Sequence, residues 1–217
     1  MKQMAQLKPI PPDLRVRRFP AVSRSSRWIF NIRGTSGSGK SWVVRQWLQN
    51  YPTQPLYGLF GTRTPEAYEC AVPGIEHPLF VIGPYETPCG GCDAIQPYGL
   101  ILDLLRKYAA QGHVLFEGLL IGDSYGSVGA LLDQLSGEGV SSAVIRLNTP
   151  LDECLERVQK RRAERGDSRP LNPKHTIAHF ERSLNSRRAF EAAGSRAMWL
   201  DLSAEETNAP ILRMLMT

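Results

Sequence analysis

Short hydrophobic runs alternate with amphipathic stretches along most of this chain. The runs suit strands buried on both faces of a sheet, and the stretches between them repeat apolar residues every three or four positions, as helices do. The predicted strands are residues 28–32, 56–60, 79–82, 114–116, 143–147 and 198–202. The predicted helices are residues 42–48, 100–108, 128–135, 151–165 and 174–192. This alternation predicts an α/β fold, with a parallel sheet covered by helices on both faces.

A glycine-rich loop connects the first predicted strand to the first predicted helix. Its sequence, GTSGSGKS, matches the phosphate-binding pattern GxxxxGK[ST] in the strand–loop–helix context that this pattern requires. Glycines let backbone N–H groups converge on phosphate oxygens, and the helix directs its positive end at the anion. The candidate nucleotide-binding residues are Gly34, Thr35, Ser36, Gly37, Ser38, Gly39, Lys40, Ser41 and Trp42. Lys40 is expected to reach the β and γ phosphates of a nucleoside triphosphate, and Ser41 to bind Mg²⁺.

The basic residues are unevenly distributed. The 217 residues fit one domain, which we place at residues 26–217, and the formal net charge is +5. Residues 1–25 hold several arginines and four prolines, so an extended basic arm is predicted there. Further basic blocks lie at residues 157–169 and 182–196. Such charge attracts a polyanion such as nucleic acid or only favours solubility, and charge alone leaves both interpretations open.

The sequence disfavours two classes of protein, membrane-spanning proteins and proteins stabilised by disulfides. No apolar run approaches the roughly 20 residues that cross a bilayer, and the N-terminus does not resemble a signal peptide, so a cytoplasmic location is expected. The four cysteines are too few and scattered for a disulfide framework. Cys89 and Cys92 could bind a metal together with Cys70 and His77, although the spacing is irregular for a zinc site.

Two segments resemble the P-loop kinase branch that contains nucleoside monophosphate kinases and small-molecule kinases. One is the GTSGSGKS loop, and the other is VIRLNTPLDECLERVQKRRAERG, which resembles the strand, proline turn and arginine-bearing lid helix of that branch. The resemblance covers residues 27–202. It implies a P-loop NTPase three-layer sandwich that uses ATP and Mg²⁺, with a lid at residues 157–173.

The resemblance also gives a role to the basic face of the predicted helix 151–165. Lid arginines in this branch stabilise charge on the transferring phosphoryl group, a role that falls to Arg157, Arg161 and Arg165, with Arg162 as a substitute. The alternative is a solvated helix face on which neighbouring glutamates pair with these arginines.

Carboxylates at the ends of two strands are the candidate catalytic acids. Glu117 ends the strand 114–116, where P-loop proteins carry the acid that orients Mg²⁺; Asp123 is the fallback, and a structural carboxylate is the alternative. The loop GPYETPCGGCD follows the strand 79–82 and is expected to face the phosphoryl acceptor. A kinase acting on an alcohol needs a base, for which Asp93 is the first candidate and Glu86 the second. Tyr85 in the same loop is a candidate for stacking on the acceptor.

The combination of GTSGSGKS, GPYETPCGGCD and the strand end FEG is similar to a group of kinase-like proteins encoded by bacterial viruses. One type in that group phosphorylates 5-hydroxymethyluridine already incorporated in DNA, which implies a DNA partner. The alternatives are a kinase of a free nucleotide or another small hydroxylated metabolite, and a nucleotide-dependent binding or switch protein. The sequence does not predict the oligomeric state.

Overall fold

The computed structural model of the chain describes residues 27–61, 63–86, 90–118, 125–167 and 169–217. The predicted arm, residues 1–25, lies outside the described residues, as do Cys89 and Asp123. Among the described helices, none is both long and apolar enough to cross a membrane.

In the part of the chain that the structure describes, seven strands form one sheet. They are β1 (Arg27–Arg33), β2 (Thr53–Leu56), β3 (Ala67–Cys70), β4 (Leu79–Ile82), β5 (His113–Glu117), β6 (Val140–Leu147) and β7 (Met198–Leu202). The order across the sheet is β2-β3-β4-β5-β1-β6-β7, which places the strand before the glycine-rich loop between β5 and β6. All predicted strands except residues 56–60 coincide with observed ones.

Six α-helices lie among the described residues, five of them between strands and one after β7. They are α1 (Lys40–Asn50), α2 (Gly99–Ala109), α3 (Ala130–Gly137), α4 (Leu151–Glu164), α5 (Lys174–Ala192) and α6 (Ala204–Leu215). A π-helical turn over Tyr125–Gly129 leads into α3, and a short 3-10 turn spans Cys92–Ala94. The first five confirm predicted helices to within a few residues, whereas α6 was not predicted.

The sheet is mixed rather than wholly parallel. Strands β4, β5, β1, β6 and β7 run parallel, as predicted. At one edge, β3 pairs antiparallel with both β2 and β4. The prediction of a strand at residues 56–60 is wrong, because β2 ends at Leu56 and a tight turn follows in which Gly58 and Gly61 form an isolated bridge.

Helices cover both faces of the sheet and define two hydrophobic clusters. Alternate residues of the central strands point to opposite faces, so that Ile29 belongs to one cluster and Phe30 to the other. The first cluster packs against α2, α3 and the end of α5, and the second packs against α1 and α6. The three-layer architecture is compatible with a P-loop NTPase fold and brings the loops that follow β1, β4 and β5 to one edge of the sheet.

Candidate active site

The loop between β1 and α1 is held in place by neighbouring elements. Gly37 has a φ of +86° and lies so close to α4 that an added Cβ would stand 2.3 Å from the carbonyl oxygen of Cys154. The Thr149 hydroxyl donates to the Ser38 carbonyl at 2.8 Å, and the Thr35 hydroxyl donates to the Thr176 carbonyl at 2.9 Å. The loop conformation is therefore fixed by contacts with two helices and a strand end, and glycine is required at Gly37.

Lys40 begins α1 and folds back across the loop. Its ammonium group is buried and donates to the carbonyl oxygens of Gly34 at 2.8 Å and Thr35 at 3.1 Å. The positive charge thus lies against the loop, at the place where a nucleoside triphosphate would put its β and γ phosphates.

Ser41 and Glu117 connect the loop to the end of β5. The Ser41 hydroxyl donates to Glu117 Oε1 at 2.7 Å, and Glu117 is only 2% exposed. Burial raises the pKa of Glu117, and this effect is opposed by the Lys40 charge and the Ser41 hydrogen bond. A hydroxyl and a carboxylate side by side, beside a phosphate-binding loop, are an oxygen ligand set of the kind that Mg²⁺ takes.

A cavity of about 520 Å³ opens in front of this pair. It is lined by residues from the P-loop, α1, the loop after β4, the end of β5, α4 and the start of α6. The lining residues are Ser36, Gly37, Gly39, Lys40, Ser41, Trp42, Arg45, Gly90, Asp93, Glu117, Arg157, Arg161, Ala204 and Glu205. The cavity therefore brings most of the sequence-predicted site residues together.

The predicted lid arginines do not all reach the cavity. Arg157 and Arg161 line it, and Arg157 donates to the Gly37 carbonyl at 3.3 Å. Arg157 also pairs with Glu153 one turn earlier, as the alternative interpretation anticipated. Arg165 is exposed and is not among the residues that line the cavity; it follows the last residue of α4 and lies about 12 Å further along the helix axis than Arg157.

Arg162, the predicted substitute, points to a different partner. Its guanidinium pairs with Asp167 at 2.8 Å, and Arg169 pairs with the same carboxylate at 2.9 Å. These hydrogen bonds hold the pKa of Asp167 well below its usual range. Arg162 thus pairs with the turn after α4 and is not among the residues that line the cavity.

The loop after β4 places its three candidates differently. Asp93 lies in the 3-10 turn and lines the cavity. Tyr85 is buried in the core beneath the cavity wall, with the Arg45 guanidinium 5.8 Å from its ring centroid. Glu86 is exposed and accepts a short hydrogen bond from the Tyr68 hydroxyl. Neither Tyr85 nor Glu86 is among the cavity-lining residues, so stacking of Tyr85 on an acceptor is not supported.

Four cavity residues were missed by the sequence analysis. Arg45 lies four residues after Ser41 and hence on the same side of α1, a spacing that could have indicated it. Gly90 contributes backbone, since a Cβ there would stand 2.1 Å from the Pro84 carbonyl oxygen. Ala204 and Glu205 belong to α6, which was not predicted.

The structure does not favour the cysteine metal site that the sequence left open. Cys70 and Cys92 are buried in different hydrophobic clusters, on opposite faces of the sheet. Burial raises the pKa of both thiols, which favours the neutral form. Within the described part of the chain, no three histidine, cysteine or acidic side chains cluster as metal ligands would.

The fold and the cavity define the class of the protein. The strand–loop–helix around GTSGSGKS and the acidic end of the adjacent β5 are those of a P-loop kinase. No protein-family model matches the chain. The chain is 39% identical over 168 residues to the 5-hmdU DNA kinase of Pseudomonas phage PaMx11, covering 76% of this chain and 86% of that protein. The chain belongs to the family of phage 5-hmdU DNA kinases.

Two more distant relatives carry the same name. The 5-hmdU DNA kinase of Delftia phage PhiW-14 is 27% identical over 170 residues, which cover 73% of this chain and 62% of that protein. The 5-hmdU DNA kinase of Bacillus phage SP10 is 28% identical over 144 residues, which cover 64% of this chain and 22% of that protein. The chain thus matches less than two thirds of the length of each of these two relatives.

Proposed function

We propose that this protein transfers the γ-phosphate of ATP to the hydroxymethyl oxygen of 5-hydroxymethyldeoxyuridine in DNA, in the cytoplasm of a phage host. The observation that carries the proposal is a single cavity in which the P-loop and Asp93 face each other, in a chain whose relative at 39% identity is named for this acceptor. A donor phosphate and an acceptor hydroxyl can meet there without any large movement of the sheet.

The donor side consists of the P-loop, Lys40 and the Ser41–Glu117 pair. Backbone N–H groups and Lys40 bind the phosphates. Ser41 and Glu117 fit Mg²⁺. Burial raises the pKa of Glu117, and a nearby cation would stabilise its charged form. When bound, Mg²⁺ neutralises charge on the phosphate oxygens. Glu117 and the Ser41 hydroxyl would hold the Mg²⁺ beside the phosphates.

The acceptor side centres on Asp93. Its carboxylate accepts the hydroxymethyl proton as the oxygen–phosphorus bond forms and the bond between the γ-phosphorus and the bridging oxygen breaks, leaving ADP. Asp93 is favoured over Glu86 because Asp93 lines the cavity, whereas Glu86 accepts a hydrogen bond from Tyr68.

Three arginines supply positive charge from two sides. Arg157 and Arg161 of α4 stand near the P-loop and are proposed to close over the transferring phosphoryl group, as lid residues. Arg45 stands on the acceptor side, over Tyr85, and is proposed to bind the DNA phosphate beside the target nucleotide. The polyphosphate and the DNA backbone would thus each meet arginine.

The DNA is proposed to bind through its phosphates along basic segments, including the arm at residues 1–25. A base inside a duplex cannot reach a phosphate in the cavity. The modified base must therefore leave the stack, as bases do in other enzymes that act on them.

The test is transfer of labelled γ-phosphate from ATP, with Mg²⁺, to duplex DNA that contains 5-hydroxymethyluracil. Unmodified DNA of the same sequence and a panel of free nucleosides and nucleotides are the comparison substrates. Label in the modified DNA alone is expected. Label in a free nucleotide and none in DNA would make the protein a small-molecule kinase, and ATP hydrolysis without transfer would favour a nucleotide-dependent switch.

A further inference from the structure

A second loop emerges from the sheet beside the acceptor loop. β3 runs antiparallel between β2 and β4, so the turn that joins β2 to β3 lies at the same edge as the carboxyl end of β4. Ala67 pairs with Ile82, and the Gly83 N–H donates to the Glu66 carbonyl at 2.9 Å. Residues 57–61 and 63–65, which we call the hairpin loop, therefore adjoin the first residues of the acceptor loop.

A buried carboxylate fixes the shape of the hairpin loop. Glu66 is 1% exposed and accepts hydrogen bonds from the Leu59 N–H at 2.6 Å, from the Tyr108 hydroxyl at 2.7 Å and from Lys107. A Cβ on Gly58 would stand 2.9 Å from the same carboxylate. The Glu66 carboxylate thus ties the loop to α2, which limits the conformations of the loop's tip.

The tip nevertheless exposes apolar side chains. The Gly61 N–H donates to the Gly58 carbonyl at 3.2 Å, closing a turn whose two central residues are Leu59 and Phe60. Phe60 packs against the core, whereas Leu59 is 43% exposed and Tyr57, just before the turn, is 48% exposed. The two side chains thus form a small apolar surface at the tip of a loop whose backbone is held by hydrogen bonds.

Exposed large hydrophobic residues are concentrated at this edge of the sheet. Among the described residues they are Trp42, Tyr57, Leu59, Tyr98, Leu184 and Met216. Trp42 lines the cavity, and Tyr98 precedes α2 on the chain segment that follows the acceptor loop. With Tyr57 and Leu59, four of the six thus lie at the edge of the sheet where β1 and β4 end.

We propose that Tyr57 and Leu59 of the hairpin loop form a wedge that enters the base stack of the DNA beside the nucleotide to be phosphorylated. The inference rests on the proposed function and names the surface that would meet the DNA. Apolar side chains inserted at a base step, and aromatic rings stacked on bases, offset the loss of stacking when a base leaves the duplex. The exposed Arg63 in the same loop provides charge for the adjacent phosphate.

The experiment compares Tyr57→Ala/Leu59→Ala with the unaltered chain on three substrates that carry one 5-hydroxymethyluracil. These are a fully paired duplex, a duplex with the target base mismatched, and a single strand. The expected kcat/KM falls roughly 5- to 150-fold on the paired duplex, the range for loss of one base-stacking contact. On the single strand, which has little stacking to replace, the loss is expected to stay within about threefold.

Met216→Ala is the matched control. Met216 is 57% exposed and follows α6, at the opposite edge of the sheet, so its removal should leave all three substrates unaffected. Both altered side chains are exposed, so thermal unfolding of the double variant should match that of the unaltered chain. A second readout is the fluorescence of 2-aminopurine placed next to the target, which should rise on binding of the unaltered chain and rise less with the double variant.

Each outcome bears on a different statement. Equal activity of the double variant and the unaltered chain on the paired duplex overturns the wedge alone. An equal loss on duplex and single strand also overturns it, because the residues would then contact DNA without opening the stack. Absence of transfer by the unaltered chain to every modified DNA contradicts the proposed function, and with it this inference.

Discussion

At the scale of a single residue, the buried carboxylate of Glu117 is proposed to be needed for catalysis, and its burial lowers the stability of the folded chain. A carboxyl group whose pKa is raised by folding stabilises the native state below its unfolded pKa, and that contribution is lost as the pH rises through the folded pKa. At neutral pH the buried negative charge of Glu117 therefore destabilises the native state of the chain without Mg²⁺.

Glu117→Gln is expected to stabilise the metal-free chain while abolishing phosphoryl transfer. The amide can still accept the Ser41 hydrogen bond but carries no buried charge. The melting temperature should rise at neutral pH, by about 2–4 °C for each kcal/mol gained. The gain should shrink as the pH falls and the native carboxyl becomes protonated. Lower stability of the variant at neutral pH would contradict this account of the site.

Asp93 and Glu86 give a second comparison at this scale. Asp93→Asn should lower kcat by about 10²- to 10⁴-fold, the usual contribution of a general base, and leave ATP affinity unchanged. The matched control Glu86→Gln, which alters the residue outside the cavity, should change kcat little. Full turnover by Asp93→Asn, measured at saturating DNA and ATP, would show that another group takes the proton.

At the scale of elements, the position of each arginine along α4 decides whether it can reach the cavity. Arg157 and Arg161 lie within α4 and line the cavity, whereas Arg165 follows the last residue of α4, Glu164, and does not line it. Arg157→Ala/Arg161→Ala should lower kcat by roughly 10²-fold or more, since cations that stabilise transition-state charge have effects of that size. Arg165→Ala is the control. An equal loss of kcat in Arg165→Ala and in the double variant would contradict this assignment, because Arg165 would then also act on the transferring phosphoryl group.

Helices and strands could be predicted from the sequence where burial determines the pattern of hydrophobic residues. The central strands are buried on both faces and therefore appear as unbroken hydrophobic runs. The edge strand β2 is mostly exposed and includes Pro55, so its pattern is weak. α6 contains Pro210, which disfavours a helix, and is stabilised by packing on α1, including a Trp47–Asn208 hydrogen bond of 2.7 Å. The capping box of Ser203 and Glu206 was the signal that could have indicated α6.

At the scale of the whole molecule, the uneven distribution of basic residues predicts that the N-terminal arm contacts DNA. Arg15, Arg17 and Arg18 precede the described residues, and together they would contact up to three DNA phosphates. Their replacement by alanine should weaken DNA binding and reduce the slope of log K against log salt concentration by up to about 3. The affinity for ATP, which should not change, is the control. Unchanged affinity at low and high salt would remove the arm from the DNA interface.

The site as a whole could be predicted only in part. The P-loop residues are adjacent in the chain, and their spacing alone indicated phosphate binding. Asp93, Glu117 and Arg157 come from three separate elements, and their convergence depends on the strand order, in which β5 and β6 flank β1. Glu205 was missed because α6 was not predicted. Arg45 was missed because its spacing from Ser41 indicates a shared side of α1 but does not show that this side faces a cavity.

The most direct test of the central claim is the position of the new phosphate. DNA containing 5-hydroxymethyluracil is incubated with ATP, Mg²⁺ and the protein, digested to nucleosides without phosphatase action on the base, and analysed by mass spectrometry beside a Lys40→Ala control. The account predicts a phosphorylated 5-hydroxymethyldeoxyuridine that forms with the unaltered chain and is absent with Lys40→Ala. Phosphate found only on the 5′-hydroxyl ends of the DNA, or no phosphate in the DNA, would contradict it.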